Sequence, residues 1–117
     1  MNSQKDINNV IEPFFWVEHS NSFSVCLNVG YYKQELFEKR EEEGFDGNGY
    51  DWASLAKVFL EEQKPEFIDV IKFDPEGSMF CAYSSNKEAL QDFIIAFKNA
   101  CENKTFIEDL FSRAILD

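Results

Sequence analysis

From Ser22 to Val29 the apolar side chains Phe23, Val25, Leu27 and Val29 alternate with Ser22, Ser24, Cys26 and Asn28. A period of two sends alternate side chains to opposite sides of an extended chain, so this segment is a strand with one buried face. No other feature restricts the fold as tightly. A half-buried strand needs neighbours to complete its backbone hydrogen bonds and a layer of other elements over its apolar side. One neighbour lies just upstream: Phe14 to His19 is a second aromatic and β-branched run, and Ser20 and Asn21 join the two as a hairpin. A second hairpin is predicted from Ile71 to Phe73 and Ser78 to Ser84, around Asp74, Pro75, Glu76 and Gly77, where proline presets φ at the first central turn position.

The covering layer must come from the rest of the chain. Tyr31 to Glu43 is rich in helix formers, with Tyr32, Leu36 and Phe37 as apolar anchors, and predicts a mostly exposed helix ended by Gly44. The following Phe45-Asp46-Gly47-Asn48-Gly49-Tyr50 permits positive φ twice and reads as a tight loop. Asp51 is then placed to cap a helix whose Trp52, Leu55, Ala56, Phe59 and Leu60 form one stripe, ending near Gln63. Pro65 opens a short helical piece through Val70. Ser85 with Glu88, and Thr105 with Glu108, have capping-box spacing. Behind the first box lie Leu90, Phe93, Ile94, Phe97 and Cys101; behind the second lie Phe106, Ile107, Leu110, Phe111, Ala114 and Ile115. Paired strands alternating with paired helices predict an α+β domain over residues 1–117, with about four helices mainly on one face of an antiparallel or mixed four-stranded sheet. The polar residues 1–10 read as a flexible lead-in.

Composition excludes several functions. Of 117 residues, 22 are Asp or Glu and 11 are Lys or Arg, a formal charge of -11. Such a molecule repels phosphates, which argues against nucleic acid as a partner. With 44% hydrophobic residues the chain is too apolar to be a disordered acidic segment. No apolar run approaches the roughly 20 residues of a membrane span, and Met1 to Val10, holding Lys5 and Asp6, has no secretory apolar core. Cytoplasmic residence without membrane association is the expectation. Cys26, Cys81 and Cys101 have no spacing of a disulfide framework or zinc site and read as buried free thiols.

Catalytic constellations are equally sparse. The single histidine, His19, has no partners of a nucleophilic triad, and Gly47 and Gly49 lack the remaining residues of a phosphate loop. Asp46, Asn48 and Asp51 invite a calcium test, but counting from Asp46 puts Asp51 where an EF-hand loop needs glycine and Lys57 where it needs glutamate. The expectation is no enzyme, no metal and no cofactor. What remains is charge. Six acidic residues (Glu38, Glu41, Glu42, Glu43, Asp46, Asp51) against Lys39 and Arg40 fill Glu38 to Asp51, beside Tyr50 and Trp52. Aromatic anchors ringed by charge suit a protein interface, and the negative field favours a basic partner.

Gly47, Asn48, Gly49, Tyr50, Asp51 and Trp52, followed by Leu55 and Ala56, and then Phe73, Asp74, Pro75, Glu76, Met79, Phe80, Ala82, Tyr83 and Ser84, resemble the immunity protein 51 family of bacterial polymorphic toxin systems. The resemblance spans Asp46 to Leu90, with departures at Asp46, where the family pattern has Glu, and at Gly77, where it has a small residue such as Ala. It implies a small α+β cytoplasmic protein, encoded beside a toxin, that binds and neutralises the toxin domain. On this reading the polar contacts to toxin come from Glu41, Glu42, Glu43, Asp46, Asn48 and Tyr50, with Tyr83 as a further candidate. Gly47, Gly49, Asp51 and Trp52 hold the loop. The alternatives are an acidic adaptor for another basic protein and a small metal-dependent enzyme using Asp46 and Asp51. A monomer or weak dimer is expected, the dimer resting on Phe14, Trp16 or Phe45 if they are exposed.

Overall fold

The computed structural model describes residues 3–116. The sheet follows the alternation in the sequence: β1 (Phe15–Glu18), β2 (Phe23–Asn28), β3 (Lys72–Phe73) and β4 (Met79–Ser84) are all antiparallel, in the order β1-β2-β4-β3. The second hairpin therefore inserts β4 beside β2. Val25 and Leu27 of β2 lie opposite Ala82 and Phe80 of β4, and all four are buried on one face.

Helices cover that face: α1 (Ser3–Ile11), α2 (Gln34–Glu38), α3 (Gly49–Gln63), α4 (Lys87–Cys101) and α5 (Lys104–Phe111). Short 3-10 turns lie at Glu41–Glu43 and Pro65–Phe67. Among the described residues the architecture is α+β with an antiparallel sheet and five α-helices, one more than the sequence suggested. The additional one is α1, in the segment read as flexible; its Ile7 and Ile11, one helical turn apart, are buried in the core. Residues 1 and 2 of that segment lie outside the described residues.

Trp52 is the hub of the core. Its ring lies 5.1 Å from Phe37, 5.9 Å from Phe14, 6.1 Å from Phe97 and 6.4 Å from Phe80, joining α2, α3, α4 and the sheet. Aromatic rings bury large areas and prefer such edge-on or offset contacts, so a few of them organise a small core. Phe14, Trp16 and Phe45 belong to this core, with relative exposures of 1%, 4% and 2%. They are not exposed, and the dimer contact expected of them has no basis.

Two further expectations change. The helix predicted over Tyr31 to Glu43 is broken: α2 begins after Lys33, which sits at φ 55, and ends at Glu38, before the separate turn Glu41–Glu43. Arg40 between them stacks over Phe45 and Phe111 and donates to the Phe111 and Ala114 carbonyl oxygens. It thereby ties the segment after α2 to the chain leaving α5, where the Phe111 carbonyl oxygen also accepts from Ala114 N–H. The caps also shift. The helices α3, α4 and α5 are capped by Asn48, Asn86 and Asn103, whose side chains accept from the N–H of Asp51, Ala89 and Phe106. Asp51, Ser85 and Thr105 are not the caps; asparagine reaches the third helical N–H as well as serine or aspartate does.

Candidate functional site

The loop entering α3 is built from inward-facing hydrogen bonds. Asn48 Oδ1 accepts from Asp51 N–H at 2.8 Å, and Asp46 Oδ1 accepts from Asn48 N–H at 3.0 Å. Asp51 Oδ2 reaches back to accept from the N–H of Asp46 at 2.7 Å and of Gly47 at 2.9 Å. Asp51, at 2% exposure, is one of the few buried acidic or polar residues of the described chain. Burial pushes its pKa up, while the two backbone donors pull it down. Gln34 of α2 donates to the Asp46 carbonyl and clamps the loop from outside.

Two glycines make this geometry possible. Gly47 adopts φ +84, a conformation side-chain-bearing residues avoid. Gly49 is demanded by packing: the second hairpin turn presses on the start of α3, Gly49 N–H donates to Gly77 O at 3.1 Å, and a Cβ at Gly49 would fall on the carbonyl oxygens of Glu76 and Met79. The two sequence motifs thus meet backbone to backbone. The contact also brings the exposed Glu76 and its turn to the start of the helix bearing Tyr50, a neighbour that sequence reasoning missed because the two are far apart along the chain.

The candidate residues separate into groups. Asp46, Gly47, Asn48, Gly49 and Asp51 are gathered in the loop, and Trp52 is in the core. Tyr50, beside them, is 46% exposed. Glu41, Glu42 and Glu43 are exposed in their 3-10 turn. Glu43 is engaged by Arg40 through Nε at 2.9 Å and a second nitrogen at 2.7 Å, and this pairing holds its carboxyl below the ordinary range. Tyr83 lies elsewhere. It points from β4 to the sheet face away from the helices, opposite Ser24 and Lys72. Tyr31, with relative exposure of 87%, is the most exposed large hydrophobic side chain of the described residues, and only its place after Gly30 (φ +107) marks it in the sequence.

As a metal site the loop is poorly supplied. Asp51 Oδ2 is taken by two backbone donors, and among the described residues no three His, Cys, Asp or Glu side chains converge as metal ligands. His19 Nε2 lies 3.1 Å from Ser24 Oγ, at the sheet's exposed edge. A cleft of about 390 Å³ opens between α3 and the C-terminal segment, lined among others by Lys57, Val58, Glu61, Phe73 and Ile115. It is separate from the loop, and Arg113 at its rim is ion-paired to Glu62 and Asp109. Among the described residues no helix is long and apolar enough to cross a membrane.

These features define a small α+β protein whose polar motif supports its own backbone and whose exposed groups include the carboxylates of Glu41, Glu42 and Asp46 and the rings of Tyr31 and Tyr50. The family model for immunity protein 51 matches residues 14–116, nearly the whole chain and well beyond the stretch that carries the resemblance in the sequence. The chain belongs to the immunity protein 51 family. No curated protein and no solved structure matches it.

Proposed function

We propose that this immunity protein neutralises a cognate toxin domain of a bacterial polymorphic toxin system by stoichiometric binding, without turnover, in the cytoplasm. The observation that carries the proposal is the exposure of the Glu41, Glu42 and Asp46 carboxylates, within ten residues along the chain of the half-exposed ring of Tyr50, on a chain of net charge -11. A rim of this kind attracts a basic surface at long range and offers an aromatic anchor at short range. Neutralisation at low toxin numbers calls for a dissociation constant near nanomolar, about -12 kcal/mol, within reach of an interface of roughly 800 Å² per partner. Asn48 and Asp51 act indirectly, by holding the loop that carries Tyr50. Tyr83 lies on the helix-free sheet face and would join the interface only if the toxin reached that far.

Co-expression with the toxin domain encoded beside this chain tests the proposal. Protected cells and a one-to-one complex on gel filtration are the expected outcome. Cell death with no complex would remove the assignment. Binding to a different basic protein instead would favour an adaptor role.

A further inference from the structure

On the helix-free face of the sheet, Cys26 of β2 and Cys81 of β4 are register partners. Their Sγ atoms are 3.4 Å apart. The ladder fixes the type of pair. Val29 N–H donates to Ser78 O, which makes Val29 and Ser78 a hydrogen-bonded pair, and such pairs alternate along an antiparallel ladder. Counting back through Asn28 and Leu27, Cys26 and Cys81 fall in a non-hydrogen-bonded position, where opposed Cα atoms approach to about 4.5 Å and the side chains are closest. That separation is within the range of about 4.4 to 6.8 Å that a disulfide spans. Cys81 is half-buried and open to solvent on this face, and Cys26 is 7% exposed beside it.

We propose that Cys26 and Cys81 form a dithiol site that closes to a disulfide by exchange with a low-molecular-weight disulfide. The accessible Cys81, as thiolate, attacks one sulfur of the reagent RSSR, forming a Cys81–S–S–R mixed disulfide and releasing RS⁻. Cys26 then loses its proton to solvent, attacks the Cys81 sulfur and expels the second RS⁻. The two released thiolates take up the two thiol protons, so two protein thiols and one RSSR become one protein disulfide and two RSH. The surroundings suit this order. The Cys26 thiol donates to the Cys81 sulfur and, with the Ser24 hydroxyl, holds the Cys81 thiol below its ordinary range, against burial, Asp74 and Glu76. The same contact pushes the Cys26 thiol up. Cys101, fully buried and pushed up by burial, is a spectator.

The test uses the full chain, reduced, then incubated with oxidised glutathione, denatured and alkylated. The expected product has lost two alkylatable thiols and about 2 Da, carries no glutathione, yields a Cys26–Cys81 peptide and unfolds at a higher temperature than the reduced protein. Cys26→Ser should arrest as a stable glutathione adduct on Cys81, and Cys81→Ser should leave Cys26 free. Three free thiols after incubation, a persistent glutathione adduct on the unaltered chain, or a cross-link to Cys101 would each overturn the proposal.

Discussion

Two stretches only a few residues apart treat their polar groups in opposite ways. In Glu41–Glu43 the carboxylates face solvent, and among the described residues only Glu43 is engaged, by Arg40. In Asp46 to Asp51 the polar side chains turn inward onto backbone N–H groups. The stretch with the recognisable motif is therefore the one whose chemistry is consumed by the fold. The residues free to meet a partner are plain charges and an exposed ring, which leave little mark on a sequence.

Substitutions sharpen this contrast, with the largest expected effect at Gly49. Gly49→Ala forces the hairpin carbonyls of Glu76 and Met79 away from the start of α3. Denaturant unfolding should show a loss of about 3 kcal/mol or more, because backbone rather than a flexible side chain must move. An unchanged midpoint would show that the two motifs are not locked together.

Asp51→Ala leaves the Asp46 and Gly47 N–H groups without their acceptor. Stability should fall by about 2 kcal/mol. Asp51→Asn gives a separate pH signature. The folded pKa of Asp51 lies above its unfolded value, so its contribution to stability is largest below the unfolded pKa and is lost as pH rises through the folded pKa. Stability of the natural chain relative to Asp51→Asn should therefore grow as pH falls from 7 through the window bounded by those two values. Urea titrations at several pH values measure it, and a difference independent of pH would contradict the burial argument.

Asn48→Ala removes the cap of α3 at a cost of about 1 kcal/mol, read as a shift in denaturant midpoint. Glu41→Gln with Glu42→Gln should change stability by less than about 0.5 kcal/mol. The same double variant should bind toxin more slowly at low salt and lose most of that deficit at high salt, in stopped-flow association. A stability loss as large as that of Asn48→Ala would erase the distinction between the two stretches.

Much of the fold was legible in the chain. The alternation from Phe23 to Val29 and the Pro75-Glu76-Gly77 turn mark both hairpins because strand period and turn chemistry are local. The stripe from Trp52 to Leu60 marks α3 for the same reason. The interruption between α2 and the 3-10 turn was not legible, since Arg40 finds its acceptors at Phe111 and Ala114, far along the chain. Of the candidate site, the loop residues were visible as a motif, whereas the approach of Glu76 to the start of α3 and the divergence of Tyr83 onto the other sheet face depended on strand order.

The sequence by itself determined the strands, the principal helices, the excess of negative charge and the motif of the immunity protein 51 family, because periodicity, turn residues and charge are properties of neighbouring positions. Only the tertiary structure decided that β4 lies between β2 and β3, that Gly49 must have no side chain, that Phe14, Trp16 and Phe45 are core, and that Cys26 faces Cys81. Those outcomes depend on which distant surfaces exclude water together, and the packing of one element against another sets them.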